Sequence, residues 1–321
     1  MGFRRAGWAI ALAALVACLA YETAAAGEGR VYVLSQAGAA LSAIADDGDK
    51  IAFSIALDKA PAALALAPGA GIAYVTHPDL GKVSVVDLAE RRVLRSFAVA
   101  GSPFGIAAAK DGRLFVADWN GAHVSVLDAR DGGLAKTIAV GRAPAHVLLT
   151  ADETLLFVAN RESDSVSAVR TADLSIAATI PVGKAPFPLA LSPDGGNLYV
   201  GNVQAGTVSV IDTARLEVME TFPSGAMPYG AAVTPDGARA LITNQQANTV
   251  SVLERGGALP SAIKVGGYPE GIAVSPDGAR AYVANWFSDD VSVIDLARLS
   301  ELHRIKCPGG PRGIVISQSL P

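Results

Sequence analysis

Chemistry in this chain would have to come from a short roster of side chains. Histidine occurs at 77, 123, 146 and 303, and cysteine at 18 and 307. No His-x-x-x-His or comparable spacing links the imidazoles into a metal-binding set. A Gly-x-Ser-x-Gly elbow, a Gly-x-x-x-x-Gly-Lys phosphate loop and a Cys-x-x-Cys-His haem attachment site do not occur in the sequence. Oxygen ligands do gather: Asp79, Asp118, Glu162, Asp164, Asp289 and Asp290 lie in short segments of equal length, as does His77. They suit a hard cation of calcium or lanthanide type, which takes roughly 6 to 8 oxygen ligands. They suit solvated turns equally well, because no Asp-x-Asp-x-Asp-Gly loop is present. His146 is the imidazole that could serve as general base in a metal-dependent hydrolase of lactonase type, if it reaches a water or substrate proton.

The elements that must hold these residues are copies of one unit. The serine inside each "VSV" string falls at Ser84, Ser125, Ser167, Ser209, Ser251 and Ser292, with Ser42 as an earlier member, in steps of 41 or 42 residues. Prolines keep the same period at 61, 103, 144, 186, 228, 269 and 311. Each unit reads as four short segments rich in β-branched and aromatic residues, separated by Gly, Pro and Asp, as in "GIAVS", "RAYVAN", "DVSVIDL" and "ELHRIKC". Four strands in about 42 residues predict an all-β, seven-bladed β-propeller with four-stranded antiparallel blades. It would fill residues 27–321, with blades starting near 30, 61, 103, 144, 186, 228 and 269. The first unit begins at its second strand, "RVYVLS", and the chain end supplies the spare copy "PRGIVIS" at 311–317. Pairing the two would close the ring and remove the open edges.

The repeated polar residues fit structural roles. "SPDG" at 192–195 and 275–278, and "TPDG" at 234–237, suit tight turns. Asn160, Asn202, Asn244 and Asn285 end second strands, where other copies have Ser35, His77 and Asp118. Function should therefore be sought where one copy departs from the others. The inter-blade segment Pro-x-Gly carries Phe104, Phe187, Tyr229, Glu270 and Arg312 at its middle position, and His146 replaces the glycine in one blade. The aromatics suit inter-blade packing or ligand contact. Glu270 and Arg312 lie in adjacent blades and suit either a ligand or a surface ion pair worth ~0 to 1 kcal/mol. Trp119 and Trp286 share one repeat position in the loops after the second strands, as expected of a partner-binding surface or of packing over a turn.

Residues 1–26 read as a secretory signal peptide, with Arg4 and Arg5, an apolar run from Trp8 to Ala20, and Ala24-Ala25-Ala26 before the cut. Leu15-Val16-Ala17-Cys18 also fits a lipobox, so a lipid-anchored form through Cys18 stands beside a periplasmic or secreted one. After leader removal no segment is long and apolar enough to be read as a transmembrane helix, and no structural disulfide is available. The remaining 24 basic and 29 acidic residues leave a net charge of −5, which disfavours nucleic acid as a main partner.

"YVAN" and "YVTH", followed by "VSVID" and by "VGGYPEGIAVSPDG", resemble the YVTN-family β-propeller repeat from about Arg30 to Ser317. A leader followed by seven such repeats is similar to the exported propellers associated with PQQ-dependent alcohol catabolism. That resemblance implies a periplasmic accessory role, linked to quinoprotein dehydrogenases or to metal and substrate transport. The leading expectation is a non-enzymatic binding or scaffold protein that engages a periplasmic protein, a small ligand or a metal. The competing one is the lactonase-type hydrolase. No haem is expected.

Overall fold

The computed structural model describes residues 29–317 apart from 46, 47, 49, 70 and 256–260. The proposed leader, its cleavage site and Cys18 lie outside the described residues. Among the described residues, twenty-eight strands form seven four-stranded antiparallel sheets. Six are built from four consecutive strands, and the seventh pairs the last strand, Pro311–Ile316, with the first, Val31–Ser35. The ring closes as the spare segment predicted. The first strands of successive blades touch around the axis, from Leu64–Leu66 through Pro103–Ala108 to Pro269–Val274 and the closing strand.

The apolar core lies between blades, in seven clusters that each draw on two adjacent blades. One joins Phe115, Val124 and Ile138 of one blade to Val147, Leu156 and Val169 of the next. Because each middle strand faces a neighbour on both sides, it is buried along nearly its whole length, as in Leu155–Asn160 and Asn197–Asn202. Outer strands such as Arg92–Ala98 stay largely exposed. Cys307 packs partly buried against the blade that closes the ring, and burial pushes its thiol up to about 12, so it behaves as a small apolar side chain.

The repeated polar residues are bonded inside each blade. The Asn160 amide donates to Ser165 Oγ and to Ser167 Oγ at 2.9 Å, and its Oδ1 accepts the Gly141 N–H at 3.1 Å. Asn202, Asn244 and Asn285 donate to Ser209, Ser251 and Ser292 in the same way. In the turns, Ser275 Oγ donates to Asp277, whose Oδ1 also accepts the Ala279 N–H, and Gly278 takes a φ of 71°. The repeated serine, aspartate and asparagine are thus consumed by the architecture, in the structural roles their recurrence implies.

Candidate functional site

Most first strands carry a register irregularity just after their proline, for example between Pro103 and Ile106, Pro144 and Val147, Pro186 and Leu189, and Pro269 and Ile272. One extra residue on the first strand faces the second strand at each, which bends the strand and re-aims the bulged side chains. Those side chains are the variable residues of the Pro-x-Gly segment. Phe104, His146, Phe187, Tyr229, Glu270 and Arg312 accordingly line one cavity of about 230 Å³ on the ring axis. The glycine is needed because the next blade comes close: a Cβ on Gly230 would drive into the carbonyl oxygen of Glu270, and one on Gly105 into that of Ala145.

The cavity mouth has two unlike halves. Phe187 stacks on Tyr229 with ring centroids 4.1 Å apart and meets Phe104 edge-on at 6.0 Å, the small Ala145 between them leaving room. Trp119 leans on Phe104 at 4.7 Å and reaches Phe187 at 6.4 Å. Opposite, Arg312 Nε lies 3.3 Å from Glu270 Oε2, both side chains about nine-tenths buried. The expectation of a surface ion pair is corrected: the pair forms, but inside the channel. Burial raises the Glu270 carboxyl above its ordinary range, only partly offset by the Arg312 charge and by a hydrogen bond from Gln245 Nε2 at 2.9 Å. The Arg312 guanidinium also lies 5.5 Å from the Phe104 ring centroid and 5.6 Å from that of Trp286. Both tryptophans therefore converge on the same mouth, where the three ring-bearing bulge residues, each from a different blade, pack on one another.

His146 points its chemistry in one direction. Its Nδ1 accepts the Leu189 N–H at 3.0 Å, and burial drops its pKa to about 4. The neutral ring must then carry its proton on Nε2, which gives this cavity-lining residue a hydrogen-bond donor and no free acceptor. That corrects its expected role as a general base, since the only lone pair is already taken.

The acidic residues predicted to surround a metal do not converge. Asp118 accepts the Ser102 N–H at 2.8 Å, Asp164 the Ala185 N–H at 2.8 Å and Asp289 the Gly310 N–H at 2.8 Å. Asp290 is buried against Asn285 and Ser288 and lies 3.3 Å from Lys306. Glu162 stands exposed on its own loop. His77 takes the asparagine's place, with Nδ1 3.1 Å from the Lys59 carbonyl and Nε2 3.0 Å from Ser84 Oγ, so both ring nitrogens are engaged. Among the described residues no three His, Cys, Asp or Glu side chains come together as a metal-binding group. The donor set does not fit a calcium-like cation: Asp118, Asp164 and Asp289 turn onto backbone N–H groups, Asp290 is held by Asn285, Ser288 and Lys306, and Glu162 stands apart.

Two residues that sequence reasoning passed over belong to the mouth. Arg161 lies with its guanidinium carbon 5.7 Å from the Trp119 ring centroid, and one of its terminal nitrogens is buried with no hydrogen-bond partner among the described residues. Gln245, 1% exposed, holds Glu270 through Nε2 while its Oε1 is unpaired. Both occupy the repeat position of Trp119 and Trp286, one residue past the end of the second strand. Comparing that position across blades was the signal that could have found them.

These features define the class: a closed seven-bladed propeller whose variable side chains form a small, half-aromatic, half-charged pocket at one end of the channel. The chain belongs to the YNCE-like beta-propeller family, whose profile matches residues 6–321. No curated protein matches the sequence significantly. Similar solved structures include the Pseudomonas aeruginosa periplasmic gluconolactonase PpgL (TM-score 0.78, 19% identity, 92% of this chain and 100% of that one). Hydrazine synthase of Kuenenia stuttgartiensis is also similar (TM-score 0.72, 22% identity, 82% of this chain and 91% of that one). A protein of unknown function from Desulfotomaculum acetoxidans is another (TM-score 0.78, 14% identity, 90% and 99%). At these identities the likeness is one of fold.

Proposed function

We propose that this protein is an exported, non-enzymatic binding propeller that takes a small ligand at the mouth of its central channel. The observation that carries this reading is the convergence of Phe104, Phe187 and Tyr229 with Glu270 and Arg312 around one cavity, with Trp119 packed on the two phenylalanines. An apolar concave site with a few buried polar groups is the usual form of a small-molecule pocket. The leader read in residues 1–26 supports action outside the cytoplasm. The resemblance to the PQQ-associated propellers supports an accessory role beside quinoprotein alcohol oxidation, in which the pocket would hold a ring-bearing ligand or substrate.

Binding is favoured over lactone hydrolysis because the residues a hydrolase would need are otherwise engaged. His146 spends its lone pair on a backbone N–H, and the acidic loops spend their carboxylates on turns. Titration with single- and double-ring aromatic compounds, quinones included, should change Trp119 and Trp286 fluorescence, whereas δ-valerolactone hydrolysis with calcium should stay at the uncatalysed rate. An unresponsive tryptophan signal, or lactone turnover that disappears in His146→Ala, would overturn the reading.

A further inference from the structure

The charges at the mouth do not balance. Arg312 has Glu270 as its partner, but Arg161 forms no ion pair and no side-chain hydrogen bond among the described residues, although one terminal nitrogen is buried. A guanidinium N–H removed from water without an acceptor is costly, and such groups in native structures call for an explanation. Its surroundings supply one. Beside Arg161 lies the Trp119 face, which continues into the Phe104, Phe187 and Tyr229 rings. The Tyr229 hydroxyl has no hydrogen-bond partner among the described residues, and its pKa is raised chiefly by burial, so it remains a donor. His146 adds a second donor through Nε2. The neighbouring carboxylates Asp118 and Asp164 are held by backbone N–H groups, and Glu162 faces solvent. Around the same entrance the residue two before the strand proline is Lys59, Arg142 and Lys184 in three blades, all exposed.

We propose that the ligand of this mouth is an aromatic carboxylate, its ring held among Trp119, Phe104, Phe187 and Tyr229 and its carboxylate received by the unpaired Arg161. This deepens the binding reading above and rests on it. Arginine's planar fork matches a carboxylate in two parallel hydrogen bonds, and the aromatic wall excludes water from them. The cavity of about 230 Å³ is smaller than the ~300–1,000 Å³ of drug-sized pockets, which limits the guest to one or two rings. Arg312 cannot serve the same purpose without surrendering Glu270.

The test is calorimetric titration of the purified protein with naphthalene-2-carboxylate and with its neutral isostere naphthalene-2-carboxamide. The carboxylate should bind at least about tenfold more tightly, as a charge-assisted hydrogen bond in a dry site allows. Arg161→Met should reduce that preference to less than about twofold. Arg142→Met, at the exposed rim, should leave the preference intact. Equal binding of the two compounds to the unaltered protein would refute the carboxylate assignment and leave the binding reading standing, with no dependence on how a variant folds. Failure of both compounds to bind would remove both. A folded Arg161→Met that keeps the full carboxylate preference would also refute the assignment to Arg161.

Discussion

Replacing Arg312 with methionine isolates the cost of the buried carboxylate that it neutralises. Glu270 is 6% exposed, and its pKa is already raised above the ordinary 4.5, burial outweighing the Arg312 charge and the Gln245 hydrogen bond. A carboxyl whose pKa is raised on folding contributes stability that is complete below 4.5 and is lost as pH rises through the folded value. Without Arg312 the folded value moves further up. At pH 7 the resulting loss has a ceiling, because the group escapes by taking a proton at 1.36 kcal/mol for each pH unit above 4.5, or about 3.4 kcal/mol. At pH 5 the same ceiling is only about 0.7 kcal/mol. Loss of the cation–π contacts to Phe104 and Trp286 adds a cost that does not depend on pH. Urea unfolding of both proteins at pH 7 and pH 5 should therefore show Arg312→Met recovering up to about 2.7 kcal/mol of its deficit on acidification. Adding Glu270→Gln should remove that pH dependence. An equal deficit at both pH values would refute the claim that an unpaired buried carboxylate carries the cost.

Other perturbations read the same architecture. His146, with its pKa depressed to about 4 by burial, contributes stability that is complete above about 6.5 and lost as pH falls through about 4. His146→Gln should flatten that part of the stability profile by up to about 3 kcal/mol, and NMR should find the native imidazole neutral at pH 6. Gly230→Ala places a Cβ against the Glu270 carbonyl and should cost more than about 3 kcal/mol in urea unfolding. Gly195→Ala, with φ 70° but nothing nearby, should cost only about 1 kcal/mol. His77→Asn restores the residue common to other blades and should fall within about 1 kcal/mol of the native protein, whereas His77→Leu strands the Lys59 carbonyl, leaves Ser84 Oγ only its bond to Ser96 Oγ, and should cost about 2 kcal/mol. Calorimetry with calcium should give no binding heat that His77→Asn abolishes.

The architecture was legible because it is local and repeated. A 42-residue period, Pro-Asp-Gly turns and β-branched strands each act within a few residues, and seven copies make the pattern hard to miss. The acidic ring failed for a reason that spacing cannot reveal. Asp118, Asp164 and Asp289 share loops on one face, yet each carboxylate finds a backbone N–H before it could meet its counterpart in another blade. His77 misled similarly, since a histidine can bond the same blade serine as an asparagine while its other ring nitrogen turns to the Lys59 carbonyl.

The mouth was half legible. Departures from the repeat pointed to Phe104, Tyr229, His146, Glu270 and Arg312, but the strand bulge that turns them toward the axis leaves no mark in composition. Arg161 escaped because arginine in a polar loop looks ordinary until its partners are counted. The economy of the fold explains why these positions matter. Most blades commit their serine, the polar residue that ends the second strand and the turn aspartate to holding four strands together. The bulge position and the position after the second strand are free to differ from blade to blade, and both meet at the mouth. A propeller of this family can therefore change its ligand without disturbing its staples, and Arg161 beside Trp119 is where this chain has used that freedom.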